Sequence, residues 1–520
     1  MKMENKIINS LFSFGPWTKR GYTKNFYDFD IAYLEKLLRT KGENFWEKLG
    51  ERKALGIFHA AAQKVPAYQD FLGQHKINHQ KIKNIGDFTK VPLTSKENYI
   101  QKYPLKSRCW DGRLVDAKII AMSSGTSGQA TLWPRAEFQE FEAAVIHELI
   151  YRFIFEINKY KTLLVIGFPM GVYVSGVATL IPSLLTSLKG YPLTVISAGN
   201  SKNEVLGVVR QLQKEYEQII LAGHPFFIKD VIETGAEEGI KWGQQRLKMM
   251  FCSEEFSEKW RNYVLAKTGA KFNAPNIIST YGSSEMLLMA HETPLSILCR
   301  NLMEEKEEFK KGLVDTRPVP NFFQYNPLFR YIESVGEELI FTSGSGIPLI
   351  RFNLHDSGHI ISFAKVKSLL TKYQNPNIKG LAKFASGGPI WKIPFVALWG
   401  RSDYKVIFYA ANIYPEHIKR SLGVNPFLSK LTGKFTLRKN YLKNMDEFLE
   451  INIELKNGIK PTRTFIPLLQ KQIVASLRNQ NLEYRDAETR FKEKLHPQIK
   501  LWPYQHEKYF KPGLKPRYIV

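Results

Sequence analysis

Between residues 117 and 280 short apolar runs alternate with amphipathic stretches. The candidate strands are Ala117–Met122, Leu163–Phe168, Leu193–Ser197, Gln218–Ala222, Leu247–Phe251 and Ile277–Thr280, and helical spacing recurs over Asn203–Tyr216 and Phe256–Lys267. Strands alternating with helices predict right-handed βαβ units and a largely parallel α/β sheet.

The rest of the chain has a different texture. Residues 27–64 carry apolar side chains at three- and four-residue spacing and are predicted helical, and Pro66, Pro92 and Pro104 punctuate the segment after them. From about residue 336, "GEELIFTS", "PLIRFNL" and "HIISFA" read as antiparallel strands with tight turns. Past "WGRSDY" (399–404), a hairpin-like "KVIFYA" leads into a helix start at Pro415, and strands at Lys434–Lys439 and Phe448–Leu455 precede a helix at Thr464–Asn479. That makes a small α+β unit at the C-terminus, and 520 residues exceed what one core supports. Thr162–Leu188 has no charged residue and is long enough to span a bilayer, but Gly167, Pro169, Gly171, Gly176 and Pro182 interrupt it. A buried strand, a turn and a buried helix are expected there, with no transmembrane span.

Charge and cysteine content narrow the classes. Of the net charge of +25, roughly +16 lies in residues 371–520. Such a surplus suits an anionic cofactor, an acidic partner protein, a membrane surface or nucleic acid, although no nucleic-acid-binding motif accompanies it. Cys109, Cys252 and Cys299 stand far apart, form no CxxC pair and give neither a disulfide framework nor a zinc site, which favours a reducing cytoplasm.

The chemistry-bearing stretch is "SSGTSGQATLWPR" at 123–135. Its glycines allow close backbone approach, successive amides can form a nest for phosphate oxygens, and the hydroxyls of Ser124, Thr126 and Ser127 add donors. It has no lysine and is not a P-loop, so positive charge must come from elsewhere.

This stretch resembles the phosphate-binding signature of the adenylate-forming superfamily of acyl- and aryl-CoA ligases, luciferases and adenylation domains. "STYGSSE" (279–285), "GEELIFTSGSGIPLIRFNLHDSG" (336–358) and "GRSDYKVIFYAANIYPEHI" (400–418) resemble that family's later motifs, in the same order. "FHAAAQKVPAYQDFL" and "FTKVPLTSKENYI" are similar to the phenylacetate–CoA ligase branch. Taken singly, Tyr281 reads as a core aromatic, Glu285 as a solvated acid at a helix start and Asp356 as a turn residue. Their shared order favours the functional reading.

The resemblance implies an α/β fold. A large N-terminal domain (1–402) holds βαβ subdomains and a distorted antiparallel β subdomain, and a small mobile α+β lid (403–520) comes after it. The resemblance also implies activation of a carboxylic acid by ATP and Mg²⁺ to an acyl-adenylate, then transfer to coenzyme A. An acidic acyl carrier protein or another nucleophile is the alternative acceptor, and a non-enzymatic nucleic-acid or membrane-binding protein the remote one. Ser124, Gly125, Thr126, Ser127 and Gly128 would surround the phosphates. Tyr281 and Gly282 would flank adenine and the nascent adenylate, Ser284 would bond the α-phosphate, and Glu285 would ligate Mg²⁺. Asp356 and Arg401 would hold the ribose. Asp403 would be the hinge, and Lys515, with Lys511 as competitor, the cation of the adenylation step. Phe168, Gly171, Tyr173, His224 and Phe226 are candidate acyl-pocket residues. Three positions depart from the family pattern: His355 and Ala410 stand in place of glycine, and Tyr404 in place of an acid. Ala410 would narrow the path of a pantetheine arm.

Overall fold

The computed structural model describes residues 8–9, 26–114, 117–123, 131–171, 174–269, 276–373, 389–401, 406–422, 426–460 and 462–510. The chain forms two compact units, the first built from Met1–Ser123 and Leu132–Gly400 and the second mainly from Arg401–Val520.

In the first unit, β1 (Ile119–Ser123) and β2 (Thr131–Arg135) form a two-stranded sheet, one on either side of residues 124–130 in sequence. β3 (Thr162–Ile166), β4 (Leu193–Ser197), β5 (Gln218–Gly223), β6 (Arg246–Cys252) and β7 (Ile277–Ser283) lie side by side in the order β4-β3-β5-β6-β7, all parallel. β8 (Leu287–His291) turns back antiparallel on β7. The same sheet then continues through β9 (Asn321–Gln324), β10 (Tyr331–Val335), β11 (Glu338–Ser343), β12 (Leu349–Ile361) and β13 (Phe395–Arg401), in the order β8-β9-β13-β12-β11-β10. The antiparallel region therefore extends the parallel sheet edge to edge, giving 11 strands among the described residues.

Burial explains the two halves. Strands β3 and β5 are buried along their whole length, which requires cover on both faces. Helix Glu137–Phe153 supplies one cover and is buried over most of its length, packing Phe141, Val145 and Leu149 with Leu164, Ile220 and Ile278 of the sheet. Helices Glu43–Lys64 and Pro66–Gln74 share a second core with the antiparallel half, through Phe58, Tyr68 and Phe71 with Phe323, Phe341 and Phe352. The uncharged stretch from Thr162 resolves into β3 and helix Val174–Ser187, and no described helix is long and apolar enough to cross a membrane.

Two strand readings change. "PLIRFNL" and "HIISFA" belong to one 13-residue strand, β12. Its Gly358 marks close packing and not a break, because a Cβ there would come within 2.7 Å of the Ala397 carbonyl oxygen. β7 runs past Thr280 to Ser283, so Tyr281 and Gly282 lie within a strand. β2 contains Pro134, which argues against a strand from sequence, but it belongs to a two-stranded sheet where proline is tolerated.

In the second unit β14 (Val406–Phe408) and β15 (Ala411–Ile413) make a hairpin that enters helix Pro415–Leu422. β16 (Leu431–Tyr441) and β17 (Glu447–Leu455) pair antiparallel, and β18 (Gln498–Trp502) joins β17 in parallel. Helix Phe465–Gln480 packs with a second helix, Leu482–Phe491, whose polar sequence hides only Tyr484, Ala487, Glu488 and Phe491. Neither this helix nor β18 is among the elements that sequence periodicity predicts.

Two buried histidines make the first unit acid-sensitive. His147 accompanies the core of helix Glu137–Phe153, His291 ends β8, and burial pushes both imidazoles from 6.5 down to about 4. The unfolded chain therefore takes up these protons first. The stability contributed by the neutral rings is complete above about pH 6.5 and is lost as the pH falls towards 4. Unfolding free energy should drop by about 1–3 kcal/mol per histidine across that window. His147→Gln should flatten the profile, as denaturant melts at stepped pH would measure.

Candidate active site

The first half of β7 is fixed by buried charge. Arg261, on helix Glu258–Lys267, donates to the Ile277 carbonyl (2.7 Å), to Glu292 (2.6 Å) and to Glu258 (2.8 Å). Glu292 in turn accepts the Ser279 N–H at 2.7 Å. Burial alone would favour a neutral Arg261, but the two carboxylates more than offset it and hold the guanidinium firmly charged. β7 also has β6 parallel on one side and β8 antiparallel on the other. Open α/β sheets bind ligands beyond the carboxyl ends of their strands, and a reversal of strand sense marks this place. Register brings the ends of β3, β5, β6 and β7 side by side, with Ile166 opposite Ala222, Gly223 opposite Phe251 and Cys252 opposite Thr280. Phe168 and His224 lie just past these ends and meet edge to face at 5.3 Å, while Phe226 packs against Trp260.

β7 and β8 are joined by a turn at Ser284–Met286, with Leu287 at φ 59°. Gly282 is required by close approach: a Cβ there would lie 2.9 Å from the Leu287 carbonyl oxygen. The turn is braced from behind. Ser345 Oγ donates to the Glu285 carbonyl at 3.1 Å, and Arg330 donates to the Met286 carbonyl at 2.7 Å while bonding buried Glu142 at 2.7 Å. Lys53 pairs with the same Glu142.

Glu285 is only 4% exposed, contrary to a solvated acid, and its carboxylate meets Lys96 Nζ at 2.7 Å. Lys96 is carried there by backbone pairing with a distant part of the chain: Thr94 N–H donates to the Arg351 carbonyl (3.1 Å) and the Asn353 N–H to the Thr94 carbonyl (2.7 Å). Ser95 and Asn98 then close a capping box on the turn Lys96–Ile100. Lys96 Nζ also sits 6.0 Å from the centre of the Trp133 ring, and Trp133 Nε1 donates to Ser123 Oγ at 3.0 Å. Ser123 and Trp133 flank residues 124–130, so this contact ties the two arms of the glycine-rich stretch together. Sequence reasoning misses Lys96 and Trp133 as site residues. "PLTSKENYI" and "TLWPR" sit within the family-like stretches, but nothing local in either points to Glu285.

Asp356 lies in β12 opposite Leu339, and the Tyr281 hydroxyl donates to its Oδ2. The Tyr281 ring stacks on Phe323 at 5.8 Å and meets Phe341 edge-on. Tyr281 thus belongs to the aromatic core and also presents a polar tip to Asp356. A carboxylate has about four lone-pair sites, so Asp356 can accept from Tyr281 and still receive further hydroxyls. His355 approaches Glu338 at 3.3 Å and Glu97 at 3.6 Å.

The structure therefore gathers Tyr281, Gly282, Ser284 and Glu285 on one strand end and sets Asp356 against Tyr281. Arg401 is the last residue of β13. The side chain of Arg401 and residues Ser124, Gly125, Thr126, Ser127, Gly128, Tyr173, Asp403, Tyr404, Lys511 and Lys515 lie outside the described residues. No group of three or more His, Cys, Asp or Glu able to hold a metal occurs among the described residues. A single carboxylate is nonetheless the donor set that Mg²⁺ uses when phosphates and water complete its octahedron.

The two departures from glycine share a backbone cause. His355 adopts φ 60°, and Tyr409 and Ala410, the two-residue turn between β14 and β15, adopt φ 46° and 64°. Both sites demand the left-handed conformation that glycine enters without penalty. His355→Gly and Ala410→Gly should each raise stability by about 0.5–1 kcal/mol, measured by chemical denaturation. No gain at His355 would mean that its contact with Glu338 offsets the backbone cost.

Among solved structures, the chain is similar to a 2-hydroxyisobutyryl-CoA ligase in complex with 2-HIB-AMP and CoA in its thioesterification state. The match has a TM-score of 0.59 and 14% identity, covering 93% of this chain and 91% of that one. The same ligase in its postadenylation state with R3-HIB-AMP matches with a TM-score of 0.51 at 14% identity, over the same shares. No protein-family model matches the chain, and no curated protein matches it in sequence. The fold of this chain is that of the adenylate-forming ligases, as its four ordered motifs lead one to expect.

Proposed function

We propose that the chain activates a small carboxylic acid with Mg·ATP to an acyl-adenylate, releases pyrophosphate, and passes the acyl group to coenzyme A. The observation that carries this reading is the convergence of Glu285, Lys96, Tyr281 and Asp356 at the strand end where the sheet reverses. The similar ligase is bound to an acyl-AMP and CoA, which supports both half-reactions. The N-terminal "FHAAAQKVPAYQDFL" and "FTKVPLTSKENYI" favour a phenylacetate–CoA ligase-like enzyme. The free cysteines Cys109, Cys252 and Cys299 suit a cytoplasmic one.

In this reading Asp356 accepts the ribose hydroxyls, with Tyr281 holding the carboxylate in place and closing one face of the adenine site. Ser284 donates to the α-phosphate. Glu285 and the hydroxyls of the glycine-rich stretch hold Mg·ATP, and Mg²⁺, when bound, neutralises phosphate charge. Lys96 balances the buried charge of Glu285 before ATP arrives. Lys515 supplies the cation that the stretch 123–128 lacks. Asp403 is the hinge.

Pyrophosphate exchange across a panel of carboxylic acids, with and without CoA, tests the whole reading. Acid-dependent exchange with AMP release on adding CoA is the expected result. Acid-dependent exchange that CoA leaves unchanged would move the acceptor to a carrier protein or another nucleophile. Glu285→Gln should impair exchange most at limiting Mg²⁺. Asp356→Ala should raise the KM for ATP about tenfold or more through loss of a charge-assisted bond worth roughly 1.5–3 kcal/mol.

Lys515→Ala should slow adenylate formation by about 10²–10³ and leave acyl transfer from a synthetic acyl-adenylate nearly intact. Equal loss in both half-reactions would remove Lys515 from the chemistry. Loss in Lys511→Ala alone would hand it the role.

A further inference from the structure

The second unit carries a basic stretch to which the proposed function assigns no role. From Leu455 to Leu482 the chain has no acidic residue but contains Lys456, Lys460, Arg463, Lys471 and Arg478. Arg478 is committed to Glu488, at 2.6 Å. The other four are exposed. Lys456, Lys460 and Arg463 lie along the segment between β17 and helix Phe465–Gln480. Backbone pairing of Lys456 N–H with the Lys430 carbonyl (2.9 Å) brings the short helix Phe427–Lys430 to the same place, and Lys430 Nζ lies 5.1 Å from the centre of the Phe465 ring. Amid these charges the first turn of the helix turns aliphatic groups outward: Ile466 is 39% exposed and Leu468 49%, with exposed Pro467 between them.

Bases interleaved with outward-facing aliphatic side chains, on a loop-and-helix end, match an anionic bilayer. Its headgroups attract the lysines, and its interface takes up Ile466 and Leu468. Three of the four exposed bases are lysines, point charges that suit a diffuse anionic surface. We propose that this end of the second unit is a peripheral docking surface for anionic lipid, formed by Lys456, Lys460, Arg463 and Lys471 around Ile466 and Leu468. The inference is independent of the chemistry assigned to the first unit.

The test uses the full chain with vesicles of phosphatidylcholine alone, or with phosphatidylglycerol added, read by co-sedimentation. Binding should require phosphatidylglycerol and fall as salt rises. The variant Lys456→Glu/Lys460→Glu/Arg463→Glu should bind roughly tenfold more weakly or worse. Ile466→Ser/Leu468→Ser should also lose binding. Reversal of three bases elsewhere on the unit, Lys443→Glu/Lys492→Glu/Lys508→Glu, should retain most of it. Thermal melts that match the parent show that each variant is folded. Equal binding to neutral vesicles, or equal loss with both charge-reversal sets, overturns the proposal. So does an unaffected Ile466→Ser/Leu468→Ser variant, because charge alone would then point to an acidic protein or nucleic acid.

Discussion

The candidate site depends on how β7 ends. In a parallel sheet a strand's carboxyl end normally runs into a crossover loop, whose position is set by little backbone pairing. Here β7 turns straight into β8, so the segment Tyr281–Glu285 is held through a hairpin ladder. Glu292 completes the clamp by donating its backbone N–H to the Ser279 carbonyl at 2.8 Å and accepting the Ser279 N–H on its carboxylate. A carboxylate with no solvent exposure is costly on its own, and Arg261 and Arg300 make it tolerable. An apolar replacement of the cluster could pack as well, but it would leave Ser279 N–H without its acceptor. The cluster therefore holds a particular strand geometry in place.

Backbone strain gathers around the same place. Leu287, Arg351 and His355 all have positive φ, at 59°, 45° and 60°, and all lie on strands that meet near Tyr281 and Asp356. Arg351 and His355 are held by specific contacts. Arg351 donates to the carbonyls of Thr89 (2.6 Å) and Val91 (2.5 Å) and to Glu333 (3.1 Å), and the His355 N–H donates to Asn353 Oδ1 at 2.7 Å. Strained conformations persist where surroundings over-determine them, and they concentrate at functional sites. Arg351 shows how: its strained backbone lets the guanidinium reach Thr89 and Val91, next to the segment that delivers Lys96.

The parallel half of the fold is plain in the sequence, because fully buried strands such as β3 and β5 are short apolar runs bounded by turns, and their spacing by amphipathic helices leaves few topologies. Strands β3 to β6 keep close to their expected bounds, and β7 overruns because Tyr281 and Gly282 continue the pairing with β8. The antiparallel half is harder. Gly358 reads as a break but is a packing glycine inside β12, and the polar helix Leu482–Phe491 owes its place to Arg478–Glu488 and Tyr484, contacts that no periodicity carries. At the site, Tyr281, Glu285 and Asp356 are legible through ordered motifs and not through their chemistry. Lys96 is not, because its only distinction is proximity to Glu285, created by pairing of Thr94 with β12. The glycine departures are visible as departures, but the positive φ that explains them belongs to the backbone.

Positive charge serves two different purposes in this chain. In the first unit part of it is held inside: Lys53 and Arg330 share Glu142, Arg261 and Arg300 share Glu292, and Lys96 faces Glu285. These pairs project little field, since each cation sits beside a carboxylate. The acid-free stretch from Leu455 to Leu482 instead places its lysines at the surface, exposed to solvent. Exposed charge of one sign acts over about a Debye length, ~8–10 Å at ordinary ionic strength, which is far enough to attract a surface and too far to orient a single phosphate. A catalytic lysine needs only one ammonium at one position. The number and spread of the remaining bases on the second unit therefore call for a partner that is broad, anionic and tolerant of shape.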